Sequence, residues 1–398
     1  MNDVIHHKEQ VSYPFVFTGK GLDYFLICLL NIFLVCITLG IYTPWAVIRG
    51  RRYIYQHMEL KGQPFAYKAT GSALFFSFLF ILVIYILSVV CFVHQHFMLG
   101  GIIFGLFFLA IPFMMVKSLQ YQASMTSLNG IRFGFSCSML RAWLIIFALP
   151  IALEIGLCLI IWGIFSMMGE ASSPTDAIIR LAIMGIAVLI GLGVINGVFY
   201  GKWMELVGKG TRFGIHTFSI QVNIKQCIKG CVLSMLSLVP FVVVIIYIAG
   251  PIWAQVTILG LTGQEEAKNQ LILENIFLIS ASYILYIFAF VVMASYLYVT
   301  LRNQFFNNLK LANGTLQFHS SVTGVGMIIR IVMVAVLSGI TCGIAYPWLK
   351  MYLIGWLASH TQVSGDLDNL ELANADMPEE RGLLLWLSRG IAPYVPFI

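Results

Sequence analysis

The nine residues Ile37-Thr38-Leu39-Gly40-Ile41-Tyr42-Thr43-Pro44-Trp45 recur 303 positions later as Ile340-Thr341-Cys342-Gly343-Ile344-Ala345-Tyr346-Pro347-Trp348, and their reading sets the number of membrane crossings. A Gly followed within four residues by Pro breaks or kinks a helix, and Trp beside it favours the membrane interface. Gly40, Pro44, Trp45 and Gly343, Pro347, Trp348 are therefore expected to mark a bend at a membrane edge. The same offset aligns His57 with His360, so the first and last apolar segments are expected to be partners in space. If each crosses once, the copies run in opposite directions, as in the inverted repeats of many transporters. If each turns back as a re-entrant hairpin, both termini lie in the cytoplasm. The stretch Phe15-Val16-Phe17-Thr18-Gly19, which looks like a strand ahead of the first span, favours the hairpin. Arg49, Arg51 and Arg52 oppose it, because a deep return arm would carry three cations into lipid.

Working outward, the chain of 398 residues is 60% hydrophobic and 10% charged, with a mean hydropathy of +0.90. Soluble domains run near half apolar and a quarter charged, so lipid is the main solvent. Windows free of Asp, Glu, Lys and Arg cover 24–48, 69–116, 181–201, 230–264, 275–301 and 331–349, with a seventh over 142–169 that carries only Glu154. A hydrocarbon core of about 30 Å needs roughly 20 residues of helix. The window 69–116 is too long for one helix and divides at His94-Gln95-His96, which gives eight spans. No cleavable signal peptide is evident, and the first span is expected to act as the insertion signal.

The connections 45–70, 117–141, 202–229 and 302–325 hold 15 of the 23 Lys and Arg, whereas the alternate connections 94–97, 170–180 and 252–274 hold only Arg180 and Lys268. Cations are retained in the cytoplasm, so the first set is cytoplasmic. With every window crossing once, both termini then fall on the periplasmic face. The net charge of +6 is spread along the chain rather than gathered in a patch, which excludes a nucleic-acid interface as its reading.

Each basic connection repeats one pattern: Lys61-Gly62, Asn129-Gly130, Lys209-Gly210 or Asn313-Gly314, then an alternation at Phe65-Ala66-Tyr67, Phe133-Gly134-Phe135, Phe213-Gly214-Ile215 or Leu316-Gln317-Phe318. The Gly suits a helix C-cap and the alternation a half-buried strand. These strands are expected to pair into a small cytoplasmic sheet, since a lone strand leaves its backbone groups unsatisfied. The expected fold is an all-α polytopic membrane protein of about eight transmembrane helices with short cytoplasmic β-strand elements between hairpins. A polar segment covers 1–23, the transmembrane domain 24–357, and an acidic tail with an interfacial end 358–398.

Glu154 sits mid-span, where a carboxylate is costly enough to be a functional candidate; a neutral, hydrogen-bonded acid between helices is the structural alternative. Arg330 and Lys350 bracket the last span and read as snorkelling cations or as part of an intramembrane polar site. Asn31 and Asn196 suit hydrogen bonds between helices, and Pro112, Pro150 and Pro240 suit kinks. His94 and His96 fall in a short turn with no further ligand nearby, and Cys227 with Cys231 lacks a second pair, so no metal site is expected. No Walker, Rossmann, HExxH or GxSxG pattern occurs in context, so neither a cofactor nor an enzymatic activity is expected. Past the last span, 365–380 reads as an acidic solvated linker, and Trp386 and Tyr394 as interfacial anchors.

The stretch ITLGIYTPW with the following RGRRY, the SLNGIRFGF connection and the TRFGIH connection resemble the YjgN family of bacterial inner-membrane proteins, over essentially the whole chain. The resemblance implies a multi-pass inner-membrane location and carries no catalytic residues. Two functions from different classes stand. A secondary transporter or permease for a small molecule or lipid requires a polar, water-accessible cavity reaching Glu154. A scaffold or sensor binding a cytoplasmic partner or anionic headgroups requires a closed helix core and an ordered cytoplasmic sheet.

Overall fold

The computed structural model describes residues 11–170, 172–367, 373–375 and 383–390. Among them the strands are β1 Ser12–Phe17, β2 Met58–Leu60, β3 Gln63–Tyr67, β4 Thr126–Leu128, β5 Ile131–Phe135, β6 Thr211–Phe213, β7 His216–Ile220, β8 Leu309–Leu311, β9 Leu316–Ser320 and β10 Thr361–Gly365. The helices are α1 Gly21–Ile37, α2 Thr43–Gln56, α3 Gly71–Val93, α4 Phe97–Met125, α5 Met139–Met168, α6 Pro174–Gly210, α7 Ile224–Leu261, α8 Glu265–Glu274, α9 Ile276–Asn308, α10 Gly324–Ile340, α11 Tyr346–Ser359 and α12 Leu383–Ser388.

The strands close into an antiparallel barrel in the order β1-β10-β9-β8-β7-β6-β5-β4-β3-β2. The fold is thus not all-α, and the small sheet expected from the connections is a closed ring, which leaves no unpaired edge. Its unit is a longer strand, a helical hairpin and a three-residue or slightly longer return strand. Five such units run from β1-α1-α2-β2 to β9-α10-α11-β10 among the described residues. Three of the four glycine dipeptides are hairpin turns rather than helix C-caps. Lys61-Gly62 and Asn129-Gly130 have positive φ at both residues, the primed geometry that matches strand twist. In the third connection Lys209-Gly210 ends α6, and Gly214-Ile215 is the turn rather than part of a strand, because β6 and β7 pair across it.

Among the described residues, six helices are long and apolar enough to cross a membrane: α3, α4, α5, α6, α7 and α9. The two fewer than expected are the repeated segments, each of which turns back to the barrel as a shorter hairpin. Helix α1 has 17 residues and α10 has 17, about 25 Å each, against 23 in α3 and 29 in α4. Both copies start and finish in the barrel. The repeat is therefore a step around the ring rather than an inversion, and β1 and β10 both lie on the side of the basic connections. The equivalence extends to bonds: Thr18 N–H donates to His57 O at 2.9 Å, and Ser321 N–H donates to His360 O at 3.0 Å.

The tips explain how an irregular turn is tolerated in an apolar setting. Leu39 and Gly40, like Cys342 and Gly343, take positive φ and reverse the chain. Thr38 Oγ1 donates to Leu34 O at 2.7 Å and accepts from Tyr42 N–H at 3.0 Å. Thr341 Oγ1 repeats this with Leu337 O and Ala345 N–H at 2.7 and 3.0 Å. Backbone polar groups in hydrocarbon must be satisfied internally, and here a hydroxyl does it. The arginines do not forbid the return, because Arg49 Nη1 reaches Asn31 Oδ1 at 3.5 Å and Arg52 Nη2 donates to Ala69 O at 2.8 Å.

Neighbouring units lock through small-on-large contacts. A Cβ at Gly71, which opens α3, would collide with the Trp45 indole of the preceding unit, and one at Gly21 would collide with Trp348 of the unit that closes the ring. The buried core lies in the barrel and the helix ends entering it, where Trp203, Met204, Leu301 and Val363 are almost wholly enclosed. Helix α6, with 37 residues or about 55 Å, spans both worlds. Its membrane half is largely exposed, and its last two turns before β6 are mostly buried.

Candidate functional site: the barrel lumen

Each longer strand carries Phe at one equivalent position, and each of these meets an apolar residue of the return strand in its own unit. The pairs are Phe15 with Leu60, Phe65 with Leu128, Phe133 with Phe213, Phe218 with Leu311, and Phe318 with Val363. Alternation sends these ten side chains to one face of the barrel. They line a cavity of about 800 Å³. The rings run in partial contact around it, with centroids 6.3 Å apart for Phe15–Phe65 and Phe65–Phe133, and 4.8 Å apart for Phe133–Phe213. Small eight-stranded barrels fill with side chains, whereas wider ones enclose a ligand-sized space; ten strands fall beyond that limit.

Polar groups gather at the two mouths. Lys61, Gln63 and Asn129 line the turn end, while Gln122, Thr126 and Thr211 line the end where α4 and α6 enter. Lys61 Nζ lies 5.1 Å from the centre of the Tyr13 ring. An apolar wall with a few polar groups at its rims is the usual composition of a small-molecule site. Of these residues, the sequence reading had placed Phe15, Phe65, Phe133 and Phe318 in strands. It missed Phe218 because the third strand was set three residues too early. The signal that finds all five is one Phe at the centre of every post-turn strand, with Phe15 and Phe318 related by the repeat offset.

The residues expected to form an intramembrane polar site are not brought together. Glu154 is exposed on the outward face of α5 and is not part of the lumen wall. Asn196 is half-buried and donates to Leu192 O of its own helix at 2.9 Å, whereas buried Asn31 does join two helices through Ala46 O at 3.2 Å. Lys350 Nζ donates to Tyr24 Oη at 3.0 Å, linking α11 to α1. Arg330 lies 3.9 Å from the centre of the Trp356 ring. Gly40, Pro44, Trp45, Gly343, Pro347 and Trp348 form the re-entrant tips and unit seams described above. His94 and His96 are exposed in the α3–α4 turn, and no cluster of three or more metal-ligating side chains occurs among the described residues. Trp386 stacks on Phe76 with centroids 5.5 Å apart. The acidic linker, apart from 365–367 and 373–375, and Tyr394 lie outside the described residues.

Spanning helices set on a closed β-collar that carries the basic connections define a polytopic membrane protein with a β-barrel on one side of its spans. Residues 12–383 match the model of the DUF898 family, described as a bacterial protein of unknown function, and the chain belongs to that family. It is 54% identical to the inner membrane protein YjgN of Salmonella typhimurium, 39% to that of Escherichia coli O157:H7 and 38% to that of Escherichia coli K12, with both chains fully covered each time. No solved structure matches. The protein is a multi-pass protein of the bacterial inner membrane.

Proposed function

We propose that the protein is a permease-like carrier that takes a lipid or a lipid-like small molecule into the barrel lumen at the cytoplasmic surface of the inner membrane. The observation that carries this reading is the ring of five phenylalanines around a cavity of about 800 Å³ with polar groups at its mouths. Such a lumen accepts an apolar body and holds polar ends at its rims, and its volume falls in the range of small-molecule sites. The role is binding and passage, without a covalent step. Reconstituted protein is titrated with a diazirine-bearing fatty acid and the crosslinks are mapped. Crosslinks at the barrel strands, lost in Phe65→Trp and Phe133→Trp, support the lumen; crosslinks confined to the spanning helices and unchanged in both variants overturn it.

A second reading, a scaffold for a cytoplasmic partner or anionic headgroups, draws on the exposed Arg212 and Lys310 at the middle of β6 and β8. Ligand-dependent flux in reconstituted vesicles would exclude it, and Arg212→Glu with Lys310→Glu leaves lumen crosslinking intact under the carrier reading.

A further inference from the structure

A second cavity, of about 580 Å³, lies between α9 and α10, where the last spanning helix meets the shorter re-entrant arm. Its walls include Tyr286, Phe290, Ala294 and Tyr298 of α9 and Met327 and Ile331 of α10. Ile287 in its lining and Ile284 beside it are well exposed. Ser295 also lines this groove, with its hydroxyl buried and without a hydrogen-bond partner.

Two turns beyond Ser295 on α9, and one beyond Tyr298, is Arg302, only 7% exposed. Its Nη1 donates to Tyr298 Oη at 3.3 Å, its Nη2 donates to Thr361 Oγ1 at 2.9 Å, and its guanidinium lies 4.6 Å from the centre of the Phe306 ring. Its Nε is buried and unpartnered. Arg330, adjacent in sequence to groove residue Ile331, also has a buried, unpartnered Nε. The ion pairs among the described residues join Arg180 to Asp176, Lys202 and Lys209 to Glu205, and Lys268 to Glu265, so neither arginine pairs with a described carboxylate. A buried cation without a counterion is strongly disfavoured, and basic pockets between membrane helices on the cytoplasmic side suit anionic headgroups.

We propose that the α9–α10 groove binds an anionic phospholipid of the inner leaflet, with an acyl chain along Tyr286–Tyr298 and the phosphate at the guanidinium of Arg302. This site lies outside the lumen and does not depend on the carrier reading. Full-length protein in mild detergent is offered phosphatidylglycerol, phosphatidylcholine or inorganic phosphate, with occupancy read by native mass spectrometry and stability by thermal unfolding. Phosphatidylglycerol is expected to be retained and to raise the melting temperature more than phosphatidylcholine. Arg302→Gln should weaken its retention about tenfold, the worth of one charge-assisted hydrogen bond. Ala294→Trp, which fills the groove and leaves the guanidinium in place, should do the same and decides the matter if Arg302→Gln fails to fold. Equal retention of phosphatidylcholine, wild-type retention in Ala294→Trp, or an equal shift with inorganic phosphate alone overturns the proposal. Phe65→Trp should leave groove occupancy unchanged, so failure at the lumen and failure at the groove are separable.

Discussion

Replacing Thr38 or Thr341 by Val tests whether the repeated tips lie in lipid. The change is nearly isosteric and removes the acceptor for the Tyr42 or Ala345 amide, each held at 3.0 Å. An amide left unsatisfied in an apolar medium costs roughly 1–3 kcal/mol. The two threonines belong to different hairpins, so the double variant should lose about 2–6 kcal/mol if the effects add. A tip in water would rehydrate its amide, and the cost would fall within the ~0.5 kcal/mol of an ordinary surface change. The tips carry Leu39, 93% exposed, and Ile344, 61% exposed, which fits lipid and not water. The assay is equilibrium unfolding in mixed micelles. Thr262→Val is the control, since that exposed hydroxyl only back-bonds to Ile258 O at 3.0 Å and Leu259 O at 3.1 Å. Single values below about 0.5 kcal/mol at both tips, or no larger than the control, would refute the re-entrant reading.

Three more outcomes are expected. Reporters fused at either end should both register cytoplasmic, because β1 and β10 pair in the barrel; a periplasmic signal from one end would break the ring. Gly71→Ala forces a methyl into the Trp45 indole and should destabilise by roughly 1–3 kcal/mol, with much of the loss recovered in Gly71→Ala/Trp45→Leu. The Lys209 ammonium, hydrogen-bonded to Glu205, holds that carboxyl below the usual range. With the folded pKa depressed, the pair stabilises above the unfolded carboxylate range, and its contribution is lost as pH falls through the folded value. Glu205→Gln should therefore cost about 0.3–0.5 kcal/mol at neutral pH and nothing in acid, as read by melting temperature at the two pH values.

Apolar window length made the membrane class legible and strand alternation marked the basic connections that enter the barrel, because solvation energies act residue by residue. The crossing number was not legible. Windows 24–48 and 331–349 are as apolar as true spans, and only a hydroxyl at Thr38 and Thr341, two residues ahead of each Gly, separates a self-satisfied turn from a kinked crossing. Strand presence could be read from alternation, but barrel closure could not, since pairing β1 with β10 joins residues some 350 positions apart. Arg302 looked like one of many topology-setting cations. Its isolation from every described carboxylate is a property of the packing, which sequence neighbours do not report.

One helix ties the two cavities together. Residues 286–298 of α9 line the lateral groove, Arg302 follows one turn later, and Phe305 and Phe306 line the barrel lumen. The guanidinium stacks on Phe306 toward the lumen and bonds Tyr298 toward the groove, so it lies at the boundary between lipid and collar. Thr361, its third partner, opens β10, the strand that closes the ring against β1. A group bound at Arg302 would therefore bear on the seam between the ends of the chain, where the ring has no covalent turn. Elsewhere each unit is tied to the next by a short hairpin loop, and at this seam no loop joins the two strands. An anion held there would stabilise the closed barrel at the place where closure depends on pairing alone.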